Sequence, residues 1–262
     1  MRLTRSFIIF LLLIASAFIS CKDTLTYPEE EKKAGYVITF DDTYITEWNA
    51  IRPLLTKYNV KVTFFISHYY TISDKNKKLI DSLKLDGHEI ACHSVNHKDA
   101  VKYLQNHTID DYLNVDINPA VNLMVGDGNI PHSFSYPYGM NNAVTDSALL
   151  EKFDVLRDVA EVQRHTANVT MIDTIESIYY KYDKRKVIAA LGIDNNFNIS
   201  LEEIERGFLR ATDNNEVIVF YCHRPVETVG GSYQISHNYL EEVFKLANSA
   251  KLKSFTFNEL GH

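Results

Sequence analysis

Two short clusters carry the chemistry that this sequence is best equipped to support. Asp41 and Asp42 end an apolar run in Thr39-Phe40-Asp41-Asp42, and His93 and His97 stand four apart in His93-Ser94-Val95-Asn96-His97. Three ligands drawn from carboxylate and imidazole suit zinc or a similar divalent ion. They leave a coordination position open, which is the arrangement of a catalytic rather than a structural site. A fourth carboxylate nearby can then act as a base on water. Each cluster alone has a plainer reading: an Asp-Asp pair caps a turn or helix, and two histidines four apart share one face of a surface helix.

Such residues work only if the fold gathers them. Strands are predicted over 36–40, 60–67, 89–93, 132–136, 154–159, 187–193 and 217–222, with a last one near 254–257. Helical patterns fall between them, over about 46–58, 74–85, 109–124 with Pro119 inside, 146–152, 200–211 and 237–249. This alternation is the grammar of βαβ units. It predicts an α/β fold, an irregular (β/α) barrel of about seven parallel strands in the manner of a TIM barrel. Asp41, Asp42, His93, Tyr138 and His223 all fall at or just beyond the C-terminal ends of predicted strands, the end at which such a barrel collects residues distant in sequence into one pocket.

A chain of 262 residues, 45% hydrophobic, suffices for one such domain. The net charge of −7 disfavours nucleic acid as a partner. At the N-terminus, Arg2 and Arg5 precede an uncharged run over residues 6–20 that stops at Cys21, the layout of a cleavable export signal and too short for a comfortable membrane span. Phe18-Ile19-Ser20-Cys21 resembles a bacterial lipoprotein processing site, where cleavage before Cys21 leaves its thiol to carry lipid. The expected organisation is a signal peptide over 1–20, a tether over 21–34 and one domain over 35–262, held by lipid to the bacterial cell envelope. Cys92 and Cys222 each precede a histidine within a predicted strand, so alternation turns them into the packing behind as buried free thiols.

Over about residues 36–257 the chain resembles the polysaccharide deacetylase family, also called the NodB-homology family or carbohydrate esterase family four. The Thr-Phe-Asp-Asp-Gly motif is matched by Thr39, Phe40, Asp41 and Asp42, with Thr43 in place of glycine. The His-Ser/Thr-x-x-His motif is matched in full at His93 to His97, and Ser135-Tyr136-Pro137-Tyr138-Gly139 keeps all of Arg-x-Pro-Tyr-Gly except the arginine. Tyr221-Cys222-His223 fits the Leu-x-His motif with tyrosine in the leucine position.

The resemblance implies a metal-dependent hydrolase that removes acetyl groups from an N- or O-acetylated polysaccharide or peptidoglycan. It places zinc on Asp42, His93 and His97, gives Asp41 the role of general base and His223 that of general acid, and sets the backbone N–H of Tyr138 at the oxyanion. The family carboxylate that orients the histidine has Asp194 as its best-placed candidate and Asp158 as its competitor. Arg157 is expected to stand in for the missing arginine beside Asp41, with Arg157→Ala affecting turnover far more than folding. An ion pair between Arg157 and Asp194 is the equal alternative. Tyr44, Trp48, Tyr69 and Tyr70 lie near strand ends, where aromatic faces can stack on sugars, with core or rim packing as the default expectation. His88 is expected to pack behind the second motif, and His68, His107, His132, His165, His237 and His262 have no matching partners. Two other functions fit the fold: a glycan-binding lipoprotein without activity, and another metal-dependent hydrolase on a similar barrel.

Overall fold

A computed structural model of the protein describes residues 33–160 and 171–261. The export segment, Cys21, the tether as far as residue 32, His165 and His262 lie outside the described residues.

The strands are β1 (Gly35–Asp42), β2 (Thr63–Ile66), β3 (Glu89–Cys92), β4 (Ser133–Ser135), β5 (Val155–Val159), β6 (Tyr179–Tyr180), β7 (Val187–Gly192), β8 (Val217–Cys222), β9 (Arg224–Val226), β10 (Gln234–Ser236) and β11 (Lys253–Phe255). The helices are α1 (Ile45–Ala50), α2 (Arg52–Lys57), α3 (Asp74–Leu85), α4 (Ala100–Tyr103), α5 (Ile109–Tyr112), α6 (Asn118–Gly126), α7 (Ala143–Leu149), α8 (Leu201–Asn214) and α9 (His237–Ser249). Seven strands pair in parallel in the order β1-β2-β3-β4-β5-β7-β8, and β8 returns to pair with β1, closing the barrel. The expected α/β barrel is what the chain forms.

The two ends of β1 have different neighbours on one edge. Its second half, Thr39 to Asp42, pairs with Thr63 to Ile66 of β2, whereas Gly35 to Val37 pair with Lys253 to Phe255 of β11. The last strand of the sequence is therefore a wedge at the N-terminal end of the barrel rather than a further stave. β6 covers the start of β8 in antiparallel fashion. These additions occupy strand edges that a short-staved barrel would leave open.

Side-chain alternation divides the core in two. Val37, Phe65, Ala91, Val155, Ile188, Val219 and Tyr221 form one cluster, inside the barrel. Ile38, Phe40, Phe64, Ile66, Cys92, Phe134, Leu156, Phe220 and Cys222 belong to the other, which packs under the helices. Staves buried on both faces are why these strands read as continuous apolar runs. Stepping by two along the inward rows leads from Val37 to Asp41, from Ala91 to His93, from Val155 to Arg157 and from Val219 to Tyr221. The same parity that fills the barrel with apolar side chains thus ends, at the C-terminal rim, in a polar layer. Cys92 and Cys222 fall on the outward rows, buried and free.

Two helical predictions change in detail. The helix expected over 46–58 is two short ones, α1 and α2, which meet at Ile51 with Pro53 at the start of the second. Between α5 and α6 the chain forms a π-helical turn, Leu113–Ile117, immediately before the turn that contains Pro119. Proline cannot donate into the helical ladder, and the wide turn lies where that ladder is interrupted.

Candidate active site

Neighbours in a regular strand face opposite ways, so Asp41 and Asp42 should not share a pocket. They do because Asp42 adopts a left-handed backbone, φ 82°, which swings its side chain back to the cleft that Asp41 faces. Aspartate tolerates that conformation better than most residues. Thr43 secures the turn by donating from Oγ1 to the Ser67 carbonyl at 2.8 Å.

His93 ends the inward row of β3. Its Nδ1 donates to the Ser135 carbonyl at 2.8 Å, with the Ser135 hydroxyl 2.5 Å away, so Nε2 presents its lone pair to the cleft. His97 lies on a loop, not on a helix, which removes the surface-helix reading of the four-residue spacing. Ser94 and His97 both have left-handed backbones, and the His97 N–H donates to Ser94 Oγ at 2.9 Å. Asp116 on the π-helical turn holds this loop from behind. Its carboxylate accepts the N–H groups of Asn96 at 2.7 Å and Lys98 at 3.2 Å, and its carbonyl accepts that of Val95 at 2.9 Å.

The result is a tight convergence of donors. His97 Nε2 is 3.1 Å from His93 Nε2 and 3.3 Å from Asp42 Oδ1, and His93 Nε2 is 3.9 Å from the same oxygen. Ligands at tetrahedral zinc distances would stand about 3.3 Å apart. Burial, reinforced by the neighbouring His97, pushes the His93 imidazole down to about 4, and burial likewise lowers that of His97. Both rings are therefore neutral near pH 7, the form in which histidine binds metals. The three side chains fit a divalent cation in donor type, separation and protonation.

Asp41 stands beside that cluster with a different set of contacts. Its Oδ2 forms an ion pair with Arg157 Nη2, both residues being almost wholly buried. Its Oδ1 is buried and accepts no hydrogen bond among the described residues. Burial alone would raise the Asp41 carboxyl, but Arg157, followed by His93 and His223, outweighs it and holds the group below the ordinary carboxylate value. The guanidinium itself lies over the Tyr221 ring, 4.8 Å from its centroid. Because both partners are buried, Arg157→Ala would strand a buried carboxylate and carry a cost in stability as well as in turnover.

His223 follows the end of β8. Its Nδ1 lies 2.6 Å from Asp194 Oδ2, its N–H donates to Asp194 Oδ1 at 3.1 Å, and its carbonyl accepts from Trp48 Nε1 at 2.9 Å. Burial opposes the charged ring, yet the Asp194 hydrogen bond, aided by Asp41, prevails and raises the His223 pKa above its ordinary value. Arg157 and Asp194 therefore serve Asp41 and His223 respectively and do not pair with each other. Asp158, the competing carboxylate, accepts the Val159 N–H at 2.6 Å instead.

These groups line a cleft of about 390 Å³. Tyr138, at φ 60° and 68% exposed, borders it with its ring 4.7 Å from that of His97. Gly139 follows at φ 67°, where a Cβ would stand 2.6 Å from that of Val159. Tyr44 also lines the cleft, whereas Trp48 and Tyr69 are core residues and Tyr70 is exposed beside His68. His88 accepts the Val62 N–H at 3.3 Å behind the barrel, as expected. His68, expected to lack a relevant neighbour, packs 6.1 Å from the His97 ring. Sequence reasoning did not single out Ser135 as a partner of His93, nor Asp116, Phe197 or Tyr233. Ser135 had a faint signal, standing where the family motif has arginine.

Residues 29–153 match the sequence model of the polysaccharide deacetylase family. That match covers a little under half of the chain. Over 93 residues the chain is 35% identical to chitin deacetylase 1 of Bombyx mori, a match covering 32% of this chain and only 16% of that protein's length. Among solved structures, the chitin deacetylase of Colletotrichum lindemuthianum superposes with a TM-score of 0.57 at 15% identity, covering 88% of each chain. The catalytic domain of peptidoglycan N-acetylglucosamine deacetylase from Eubacterium rectale gives 0.54 at 16% identity, over 88% of this chain and 91% of that one. At these identities the structural likeness establishes the shared barrel. The matched segment contains Asp41, Asp42, His93, His97 and Tyr138, while Arg157, Asp194 and His223 lie beyond it.

Proposed function

We propose that this chain is a polysaccharide deacetylase, a metal-dependent hydrolase that removes acetyl groups from an N- or O-acetylated glycan. The observation that carries this reading is the unpartnered, buried Oδ1 of Asp41 beside the converging donors of Asp42, His93 and His97. Those three would hold the cation, zinc by their donor set, and it would supply Lewis acidity toward the acetyl carbonyl and toward water. Asp41 takes the proton of the attacking water on Oδ1, while Arg157 on Oδ2 keeps the carboxylate ionised and oriented. The backbone N–H of Tyr138 offers a donor to the carbonyl oxygen as it gains charge. His223, protonated and fixed by Asp194, donates from Nε2 to the sugar nitrogen or oxygen as its bond to the acetyl carbon breaks, releasing acetate and the free amine or hydroxyl. A lowered carboxylate and a raised imidazole give a pH window in which base and acid are both in working form.

Incubating the metal-loaded protein with acetylated chito-oligosaccharides, acetylated xylan and peptidoglycan fragments tests the reading. Acetate release from at least one is expected; none from any, with metal bound, would favour a glycan-binding protein without activity.

The layout at Arg2, Arg5 and the run up to Cys21 supports a further reading, a lipid-anchored protein of the bacterial envelope with its catalytic domain over 35–262. Labelled fatty acid should be incorporated into the wild type and not into Cys21→Ala. Equal labelling of the two, or none in the wild type, would contradict it.

A further inference from the structure

An exposed aromatic ring stands on the acid side of the cleft, outside the sequence motifs. Tyr233 is 51% exposed, with its ring 5.1 Å from that of His223 and 6.4 Å from that of Phe197. Its backbone is left-handed, φ 56°, in a segment where Gly230 and Gly231 stand close by and would take that conformation without strain. The conformation is fixed from outside: the Tyr233 N–H donates to Asn196 Oδ1 at 2.9 Å, the Gln234 N–H donates to Asn195 Oδ1 at 3.2 Å, and the Tyr233 carbonyl accepts from the Arg224 N–H at 3.3 Å. The asparagines belong to the turn that follows Asp194, so one loop positions both the partner of His223 and the ring beside it. Phe197 in that turn packs flat against Gly192, where a Cβ would collide with it.

We infer that Tyr233 is a stacking platform for a pyranose ring on the leaving-group side of the site, a subsite that deepens the deacetylase reading and rests on it. His223 must face the nitrogen or oxygen that leaves with the sugar, so the sugar lies next to the imidazole and within reach of the neighbouring phenol ring. A tyrosine face of low conformational freedom suits the apolar face of a sugar.

The test compares Tyr233→Ala and Tyr233→Phe, metal-loaded, on an acetylated chito-oligosaccharide and on a small aryl acetate that has no sugar to stack. Tyr233→Ala is expected to lose about tenfold in kcat/KM on the oligosaccharide, chiefly through KM, the scale of losing one anchoring side chain. On the aryl acetate it should match the wild type, and Tyr233→Phe should match it on both. An equal loss on both substrates would show that the ring acts through His223, and no loss on either would show that it holds no sugar; both results overturn the platform. If the wild type releases no acetate from either substrate, the deacetylase reading fails by itself. Calorimetric binding of the oligosaccharide then decides the platform, which equal affinity of wild type and Tyr233→Ala would overturn.

Discussion

Asp41→Asn is expected to lower kcat for acetate release by about a thousandfold while leaving the metal content of the protein unchanged, the middle of the range for removing a general base. Asparagine preserves the shape of the carboxylate but cannot accept a proton at the position of Oδ1, the oxygen that has no partner among the described residues. The same change leaves Arg157 buried without a counter-ion, which costs about 3–5 kcal/mol of stability, so a lower melting temperature should accompany the loss. Activity measured on folded, metal-loaded protein separates the two effects. Near-wild-type turnover in that sample would remove Asp41 from the role of base.

Arg157→Ala approaches the same carboxylate from the other side. With the guanidinium gone, burial is the dominant influence on Asp41, and its pKa rises from below the ordinary carboxylate value to above it. The acid limb of the kcat/KM profile should therefore move toward neutral pH, with turnover at neutral pH falling about a hundredfold as the base is protonated and loses its orientation. The effect on stability has a definite sign. A carboxyl whose pKa is depressed in the folded state stabilises above its unfolded pKa, and that contribution is lost as pH falls through the folded value. The variant should thus be destabilised most near neutrality, by about 3–5 kcal/mol for a broken buried pair, with the difference from wild type shrinking in acid. A pH profile superimposable on that of the wild type would refute the link between Arg157 and Asp41.

The site illustrates which kinds of geometry a sequence displays. The strand that carries Arg157 was legible over 154–159, because apolar patterning is a local property. The limits of α3, β8 and α9 were legible for the same reason, through periodicity. The left-handed turn of Asp42 was not legible, since alternation alone sends its side chain away from Asp41. The core placement expected by default for Trp48 holds. Its hydrogen bond to the His223 carbonyl is made across the fold, beyond any local pattern. Asp116 was hidden by its setting. Within a helical run it reads as a surface acid, and only the π-helical turn brings it under the loop that carries His97. Arg157 beside Asp41 and Asp194 beside His223 stood level with a pair between Arg157 and Asp194, and barrel closure decides for the former.

The central claim is that Asp42, His93 and His97 hold a catalytic cation and that acetyl hydrolysis depends on it. Titrating metal-free protein with zinc while following acetate release from an acetylated glycan tests this most directly. Release should be negligible without metal and reach its plateau when a single equivalent has bound. Undiminished release from the metal-free protein would contradict the account.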